Sequence, residues 1–340
     1  RKRKTDDLFK ILLPLAYSRR ITAYKTHIKE LRNMVISIDH GNRQVKTVHK
    51  VFVSGLVESS VRPALGEEYI LYNNRYFSLT EHRLAYRRDK SKDESFFLLS
   101  LFGIAYEILA AGAYSAGQTT SVDLLIGLPP AHFGAQYRDF EAYFKRGVVN
   151  FQLGNKPFSV YFNSVTAYPQ AYAAAMTVFG QLRPLSKCVV LDIGGFTADY
   201  MLLKKGVPDL SDCSSLEYGV ILLYNRIINT VNSAHDLLLD EYDVDSVLTG
   251  HNDTLPDYVQ ELIHGQARQF VEELFGQLRE RMIDLRVTTP VFVGGGSILL
   301  RPHLEEAGRW QSCLFVDDIH ANAKGYEIIY RARLASKGHA

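Results

Sequence analysis

The chain has 340 residues, of which 46% are hydrophobic and 22% are charged, with three cysteines and a net charge of +2. This length and apolar content suffice for roughly two globular domains. The cysteines, Cys188, Cys213 and Cys313, are far apart in the sequence, which argues against a disulfide framework or a zinc site and favours a reducing compartment. No apolar run approaches the roughly 20 residues that a transmembrane helix needs.

The first 33 residues are strongly basic. They contain ten Lys or Arg and three Asp or Glu, a net charge of +7, which leaves −5 for the remainder of the chain. The first methionine, Met34, directly precedes an apolar segment. We therefore expect the folded core to begin there and residues 1–33 to form a basic N-terminal extension, native or introduced. An arm that contacts nucleic acid or an acidic surface is the alternative.

The segment 35–53, VISIDHGNRQVKTVHKVFV, predicts a strand, a turn and a second strand. Its turn contains Asp39, Gly41 and Asn42, and Lys46 follows on the outgoing strand. A carboxylate suits a hydrated Mg²⁺, glycine lets backbone amides approach an anion, and lysine can reach phosphate oxygens. Because ordinary hairpins often have turns of this composition, the segment is weak evidence by itself.

The region after this hairpin alternates between strand and helix patterns. We expect a hairpin at 69–79, a helix at 94–112, a strand at 122–128, a helix at 137–144, two strands within 148–162 and an alanine-rich helix entered at Pro169. Gln170 would lie in the first turn of that last helix, since proline is favoured at the N-terminus of a helix. A glutamine there is usually only a polar first-turn residue, unless the helix points at a ligand.

The segment 189–200, VVLDIGGFTADY, repeats the pattern of the first hairpin. A continuous apolar strand leads to Asp192, then to Gly194, Gly195 and Thr197, and an apolar strand returns. Glycines at such a tip allow backbone N–H groups to approach an anion, and the acidic residue suits Mg²⁺. A plain Gly-Gly hairpin is the alternative. Two acid-glycine hairpins in one chain are nevertheless much stronger evidence for phosphate binding than either alone.

A third glycine-rich segment, TPVFVGGGSI, occupies residues 289–298. A short apolar strand leads into Gly294, Gly295, Gly296 and Ser297, and a helix pattern follows. Consecutive glycines expose backbone to the close approach of a flat or anionic ligand. A loop is the alternative. Elsewhere in this half we expect helices at 218–231, 255–285 and 321–333 and a strand at 314–316.

Together and in this order, the three glycine segments resemble those of the actin/heat-shock-chaperone/sugar-kinase ATPase superfamily. The likeness is closer to the bacterial actin-like plasmid-segregation ATPases, the ParM/StbA group. It covers the chain from Met34 to about Arg333. The stretches that carry it are IDHGNRQVKT, DESFFLLSLFGIAYEIL, LLIGLPPAHFG, YPQAYAAAM, LDIGGFTADY, LEYGVILLYNRIINTV, FVGGGSILL and ANAKGYEII.

The resemblance implies an α/β, two-lobed actin-like ATPase fold with a nucleotide cleft between the lobes. Domain I, with the phosphate-1 hairpin, would span residues 34–185. Domain II, with the phosphate-2 and adenosine motifs, would span residues 186–315. A C-terminal segment, 316–340, would return to domain I.

The resemblance also implies a role for each candidate site residue. Asp39 and Asp192 would hold a hydrated Mg²⁺, and Lys46 would contact the β- and γ-phosphates. The other nucleotide-binding residues would be Gly41, Asn42, Gly194, Gly195 and Thr197 at the phosphates and Gly294, Gly295, Gly296 and Ser297 at the adenosine. Gln170 and Asp192 would be catalytic, with Gln170 at the position that orients the attacking water. Some ParM-like members have an acidic residue there; since Gln cannot take a proton, the base stays open.

The function implied is Mg-dependent hydrolysis of ATP to ADP, which would time the growth and collapse of a homopolymeric filament that segregates plasmids in the bacterial cytoplasm. The core is acidic and has no basic, aromatic-rich face for DNA. Centromere DNA would therefore be reached only through a DNA-bound adaptor of the ParR type, and no membrane contact is expected. A non-polymerising scaffold or chaperone-type ATPase is one alternative. A sugar or acid kinase, for which no substrate-binding stretch is evident, is another.

Overall fold

The computed structural model describes residues 33–338 except Leu65, Arg88 and residues 252–253. The predicted basic extension, residues 1–33, therefore lies outside the described residues apart from Asn33. The chain divides into two compact units: the first comprises the described residues up to Thr177 and those from Asn322 onward, and the second is Val178–Ala321. The predicted domain limits, 185/186 and 315/316, stay predictions.

The helices and strands follow one another along the chain in this order. Up to Thr177 they are β1 Asn33–His40, β2 Gln44–Lys46, β3 Val51–Val53, β4 Leu56–Ser59, β5 Tyr69–Tyr72, β6 Arg75–Leu79, a 3-10 turn Lys90–Lys92, α1 Glu94–Ala110, β7 Thr119–Leu128, α2 Pro130–Phe144, β8 Val148–Leu153, β9 Lys156–Pro169 and α3 Tyr172–Met176. From Val178 onward they are α4 Phe179–Leu182, β10 Lys187–Ile193, β11 Ala198–Lys204, β12 Val207–Leu216, α5 Val220–His235, α6 Glu241–Leu248, α7 Asp257–Glu280, β13 Thr289–Val293, α8 Gly295–Leu299, α9 Arg301–Ala307, β14 Leu314–Phe315 and α10 Ala321–Gly338.

The first unit contains a nine-stranded sheet in the order β3-β2-β1-β7-β9-β8-β5-β6-β4. Its three central strands, β1, β7 and β9, are parallel. Because parallel strands end at the same edge of a sheet, the residues that follow β1 and β9 are brought together there. Helix α1, apolar along most of its length, packs into the core with aromatic side chains from α2 and β9.

The second unit contains a five-stranded sheet in the order β12-β11-β10-β13-β14. Strands β10, β13 and β14 are parallel, whereas β10, β11 and β12 form an antiparallel meander. In the register of β10 with β13, Asp192 pairs with Val293, so that the two glycine segments that follow these strands leave the sheet at the same edge. The apolar faces of α5 and α7 complete the core.

Most predicted elements are present, but α7 ends at Glu280 rather than near residue 285, α6 was not predicted, and three further details differ. Pro169 ends strand β9 rather than beginning a helix, and α3 begins only at Tyr172. Pro169 pairs with Leu128 at the last position of the β7–β9 ladder, where the absence of an N–H is tolerated. The strand expected after Asn42 is two short strands, since a turn closed by Thr47 N–H and Lys50 C=O (2.8 Å) interrupts it. Helix α2 begins at Pro130, seven residues before the predicted start.

Candidate functional site

Asp39 lies at the C-terminal end of β1 and is almost fully buried, at 4% exposure. Its Oδ1 accepts a hydrogen bond from Nε2 of Gln170 at 2.5 Å, and its Oδ2 accepts a longer one from Nδ2 of Asn322 at 3.4 Å. Gln170 and Asn322 are buried as well. The structure therefore brings two predicted site residues, Asp39 and Gln170, into direct contact. Asn322, in the first turn of α10, was not singled out in the sequence.

Gln170 occupies the turn between β9 and α3, where its backbone N–H donates to the carbonyl of Leu128 at 2.8 Å. The next residue, Ala171, has φ +60° and ψ −58°, and its N–H donates to Oδ1 of Asn322 at 3.0 Å. The side chain of Gln170 is thus positioned from the end of a parallel strand rather than from a helix.

Lys46 lies directly opposite Asp39 in the antiparallel β1–β2 register, which places both side chains on the same face of the hairpin. It forms no ion pair with any residue that the structure describes. A half-buried ammonium on the face of a buried carboxylate is well placed to meet a phosphate.

The turn between Asp39 and Lys46 is tightly closed. A β-carbon on Gly41 would lie 2.5 Å from the carbonyl oxygen of Gln44, so that only glycine fits without a shift. The hydroxyl of Ser54 donates to the carbonyl of Gly41 at 2.5 Å. Asn42 follows, and its Oδ1 is buried without a hydrogen-bond partner among the described residues. Such an orphaned polar atom is consistent with a ligand at this turn.

His40, next to Asp39, is fully buried between the rings of Phe140 and Phe144. Its Nε2 lies 2.6 Å from the hydroxyl of Ser100. Burial, assisted by the positive charge of Lys90, lowers its pKa to about 3. His40 is therefore neutral at physiological pH and anchors the end of β1 rather than acting as an acid.

In the second unit, Asp192 is the penultimate residue of β10, is 8% exposed and lies directly opposite Asp199 in the β10–β11 register. Opposed residues of an antiparallel pair share a face, so two buried carboxylates point to one side of the sheet. Asp199 accepts hydrogen bonds from the hydroxyls of Ser215 and Thr197, the latter at 3.4 Å. Because opposed like charges destabilise a sheet, this pair suits a bound cation. Asp199 was not singled out in the sequence, where it is one residue of the segment TADY. Only the strand register pairs it with Asp192.

The tip between β10 and β11 is held by backbone hydrogen bonds. Gly194 N–H donates to Thr197 C=O at 2.8 Å, which closes the turn. The first amides of α5, Val220 and Ile221, donate to the carbonyls of Gly194 and Gly195 at 3.0 and 2.9 Å. These contacts fix the tip against the start of α5, and the amide of Gly194 is taken up in closing the turn itself.

The three glycines after β13 differ in their surroundings. Gly294 has φ +88°, and a β-carbon there would lie 2.2 Å from Oδ1 of Asp192. A β-carbon on Gly296 would lie 2.6 Å from the Ile193 side chain, whereas one on Gly295 would meet open space. Ser297 is buried and donates its hydroxyl to the carbonyl of Val293 at 2.6 Å. The glycine run thus packs closely onto the Asp192 strand, and Ser297 secures the start of α8.

Each unit by itself offers groups that suit a hydrated magnesium ion. Asp39 in the first unit, and Asp192 with Asp199 in the second, have carboxylate oxygens, the ligands that Mg²⁺ prefers alongside water and phosphate. The described part of the chain contains no cluster of three or more His, Cys, Asp or Glu that could hold a metal ion by itself. This is expected for Mg²⁺ with a nucleotide, because one or two carboxylates suffice when phosphate oxygens complete the coordination.

Known proteins resemble this chain in family profile and in fold. Residues 190–306 match the family model of the archaeal actin homologue MreB-like, C-terminal. No curated protein matches the chain in sequence. Among solved structures, the chain is similar to Ta0583, an archaeal actin homologue in complex with ADP, at 16% identity and TM-score 0.66, with 87% of this chain and 99% of that chain covered.

Two further structures extend the comparison. Bacillus thuringiensis ParM with ATP has 12% identity and TM-score 0.62, over 89% of this chain and 98% of that chain. The Alp12 filament structure has 14% identity and TM-score 0.61, over 88% and 98%. The chain has an actin-like fold. The predicted α/β fold class and the likeness to ParM proteins and other actin homologues are confirmed.

Within this actin-like fold, the predicted phosphate-1 residues lie in the first unit and the phosphate-2 and adenosine residues in the second. Among the described residues, no helix is long and apolar enough to span a membrane. The roles assigned to the individual residues stay predictions.

Proposed function

We propose that this chain binds ATP with Mg²⁺, hydrolyses it to ADP and uses the cycle to assemble and dissolve a filament. One observation carries the proposal: both acid-glycine hairpins place a buried carboxylate, Asp39 or Asp192, at the C-terminal end of a parallel strand in an actin-like fold. This edge is where open α/β sheets bind nucleotides. The ADP and ATP complexes of Ta0583 and of Bacillus thuringiensis ParM support the same ligand.

Different groups of the chain have different roles in the transfer of the γ-phosphoryl group to water. Lys46 and the amides of the Gly41 and Gly194 turns bind the phosphates and counter the charge that develops on them. Gly294, Gly295 and Gly296 leave room for the adenosine. Magnesium, when bound, would neutralise phosphate charge, and Asp39 and Asp192 are the carboxylates that would hold it.

Gln170 orients the attacking water. A carboxylate only accepts hydrogen bonds, so the amide group that meets Asp39 must be the NH₂. The amide oxygen of Gln170 is then left to accept an O–H from water. Gln170 can align the water but cannot take its proton, so its contribution is positional.

Filament formation and plasmid segregation are the part of the proposal furthest from the residues. The likeness to the Alp12 filament structure and to ParM supports self-association of this chain, and we propose that it acts in the bacterial cytoplasm. A DNA-bound adaptor of the ParR type would link the filament to plasmid centromere DNA, because residues 34–340 carry a net charge of −5, which disfavours direct contact with DNA.

The experiment is phosphate release by the full chain with ATP, with and without Mg²⁺, in wild type and Asp192→Asn. The variant keeps the shape of the side chain and removes its charge. We expect turnover to fall by at least ~10²-fold, as for loss of one key electrostatic contact. The control is Asp209→Asn on β12, whose carboxylate forms a surface ion pair with Lys204 of β11; this variant should hydrolyse ATP normally.

Unchanged turnover of Asp192→Asn at saturating ATP and Mg²⁺ would refute the assignment of Asp192. Transfer of phosphate to an added sugar or acid would instead identify a kinase. Hydrolysis without polymer at any concentration would identify a scaffold or chaperone-type ATPase.

A further inference from the structure

The backbone beside Gln170 is strained. Ala171 has φ +60° and ψ −58°, and the N–H of Tyr172 donates to the carbonyl of Gln170 at 2.6 Å, which closes a three-residue γ-turn. This conformation is rare and costly for a residue with a β-carbon. Ala171 is fully buried, so no solvent contact stabilises the turn. Some other interaction must hold it.

Asn322 supplies that interaction. Its Oδ1 accepts from the N–H of Ala171 at 3.0 Å, and its Nδ2 donates to Oδ2 of Asp39 at 3.4 Å. The orientation of the amide follows from its partners, since a backbone N–H only donates and a carboxylate only accepts. Asp39 accepts from Gln170 on its other oxygen, so the four residues form a closed, buried ring of hydrogen bonds.

Asn322 is held in place by the packing of α10 against the same segment. A β-carbon on Gly325 would lie 1.8 Å from the carbonyl oxygen of Ala173, so the helix approaches α3 more closely than any other residue at position 325 would permit. The rings of Tyr326 and Tyr168 stack with centroids 5.9 Å apart. Further along α10, the hydroxyl of Tyr330 donates to Asp123 at 2.8 Å.

We propose that Asn322 is a positioning residue: it holds the strained turn at Ala171 and so fixes the Gln170 amide against Asp39. Its effect on the turn stands on geometry alone, whereas its effect on hydrolysis rests on the proposed function. A residue that only fastened α10 to α3 would need neither the contact with Asp39 nor the strained turn. Asn322 therefore links the C-terminal helix to the group that orients water.

The first test measures the turn without nucleotide. Hydrogen exchange of the full chain should show that the amides at 171 and 172 exchange at least ~10-fold faster in Asn322→Ala than in wild type, because the turn loses its partner. Tyr330→Phe removes a different anchor of α10 and is the matched control; it should leave these amides protected. Unchanged exchange in Asn322→Ala, or equal loss of protection in Tyr330→Phe, would overturn the proposal.

The second test measures chemistry. Asn322→Ala should lower kcat by ~10- to 10²-fold while the Kd for ATP changes less than about threefold, since a positioning residue acts after binding. In the Ala171→Gly background, the fold-decrease in kcat caused by Asn322→Ala should be at least about fivefold smaller, because glycine adopts the turn without strain. The positioning role would be overturned if Asn322→Ala lowered kcat by the same factor in both backgrounds. It would also be overturned if Asn322→Ala kept the wild-type kcat while the amides at 171 and 172 exchanged fast.

A second variant covers the case in which Asn322→Ala does not fold. Asn322→Asp keeps an acceptor for the Ala171 N–H but loses the donor to Asp39 and adds a negative charge beside it. We expect the exchange at 171 to stay slow and kcat to fall; a normal kcat would overturn the part of the proposal in which Asn322 acts through its contact with Asp39. If wild type itself hydrolyses no ATP, the proposed function fails, while the exchange experiment still decides whether Asn322 holds the turn.

Discussion

At the residue scale, the hydrogen bond between Gln170 and Asp39 determines which end of the glutamine amide can meet a water molecule. We expect Gln170→Ala to slow hydrolysis by ~10²-fold with little change in the Kd for ATP, since only the alignment of water is lost. Filaments of this variant should form and persist. Single-turnover kinetics and equilibrium binding measure the two effects separately. The control is Gln152→Ala on β8, away from the site; a loss of ATP affinity with normal turnover in Gln170→Ala would show that Gln170 is structural.

A histidine pair of the second unit, His303, which is buried, and His264, which is half-buried, predicts a pH dependence of stability. Nε2 of His303 lies 3.0 Å from Nδ1 of His264, and burial, with the charges of His264 and Arg268, lowers the pKa of His303 to about 4, against the opposing effect of Glu306. Burial also lowers the pKa of His264. Between about pH 6.5 and 4 the unfolded chain therefore binds a proton at His303 that the folded chain does not. The contribution of neutral His303 to the free energy of unfolding is therefore fully present above pH 6.5 and is lost as the pH falls toward 4.

Urea unfolding between pH 4 and 7 measures this effect. His303 should contribute a slope of up to about 1.4 kcal/mol per pH unit to the free energy of unfolding. His303→Gln should remove this contribution and flatten the curve, whereas His251→Gln at an exposed position should not. An unchanged slope in His303→Gln would contradict the assignment.

At the scale of elements, the tip between β10 and β11, which contains Gly194 and Gly195, depends on its close fit to the start of α5. A β-carbon on Gly219 would lie 2.2 Å from the carbonyl oxygen of Gly195, so Gly219→Ala must displace the tip or the helix. We expect a loss of stability of about 1–3 kcal/mol, typical of overpacking, and weaker ATP binding. Thermal unfolding and nucleotide titration check both.

Gly276 offers a matched control on α7, since a β-carbon there would meet nothing within 4 Å. Gly276→Ala should leave ATP binding unchanged and stabilise the protein by up to about 1 kcal/mol, because alanine favours a helix over glycine. Equal stability of the two variants would show that the tip is not tightly held.

At the scale of the whole molecule, filament growth requires a repeated interface that does not close on itself. Assembly of this kind has a critical concentration. We expect sedimentable polymer with ATP and Mg²⁺ above a threshold, decay as ATP is consumed, and longer persistence with a non-hydrolysable analogue, since nucleotide state shifts the affinity between subunits. Monomer or a closed oligomer at every concentration would contradict the segregation function and favour the scaffold.

The strands and turns were predictable because their determinants are local. An apolar run before Asp39 or Asp192 indicates a buried strand from its composition alone. Likewise, a tight turn such as that at Gly41 needs a residue without a β-carbon, and the sequence shows which positions meet that need. Such local constraints determine the two acid-glycine hairpins and the glycine run after β13. The likeness to actin homologues was recognised from the same local segments.

The contacts among these segments were decided only by the tertiary structure. Asn322 lies 283 positions from Asp39, and nothing in the residues around it indicates that partner. Asp199 became part of the site through strand register, and Pro169 became the end of a strand because β9 continues in register with β7. Local patterns follow from steric and burial preferences of adjacent residues, whereas these pairings follow from sheet register and helix packing, which the whole chain determines together.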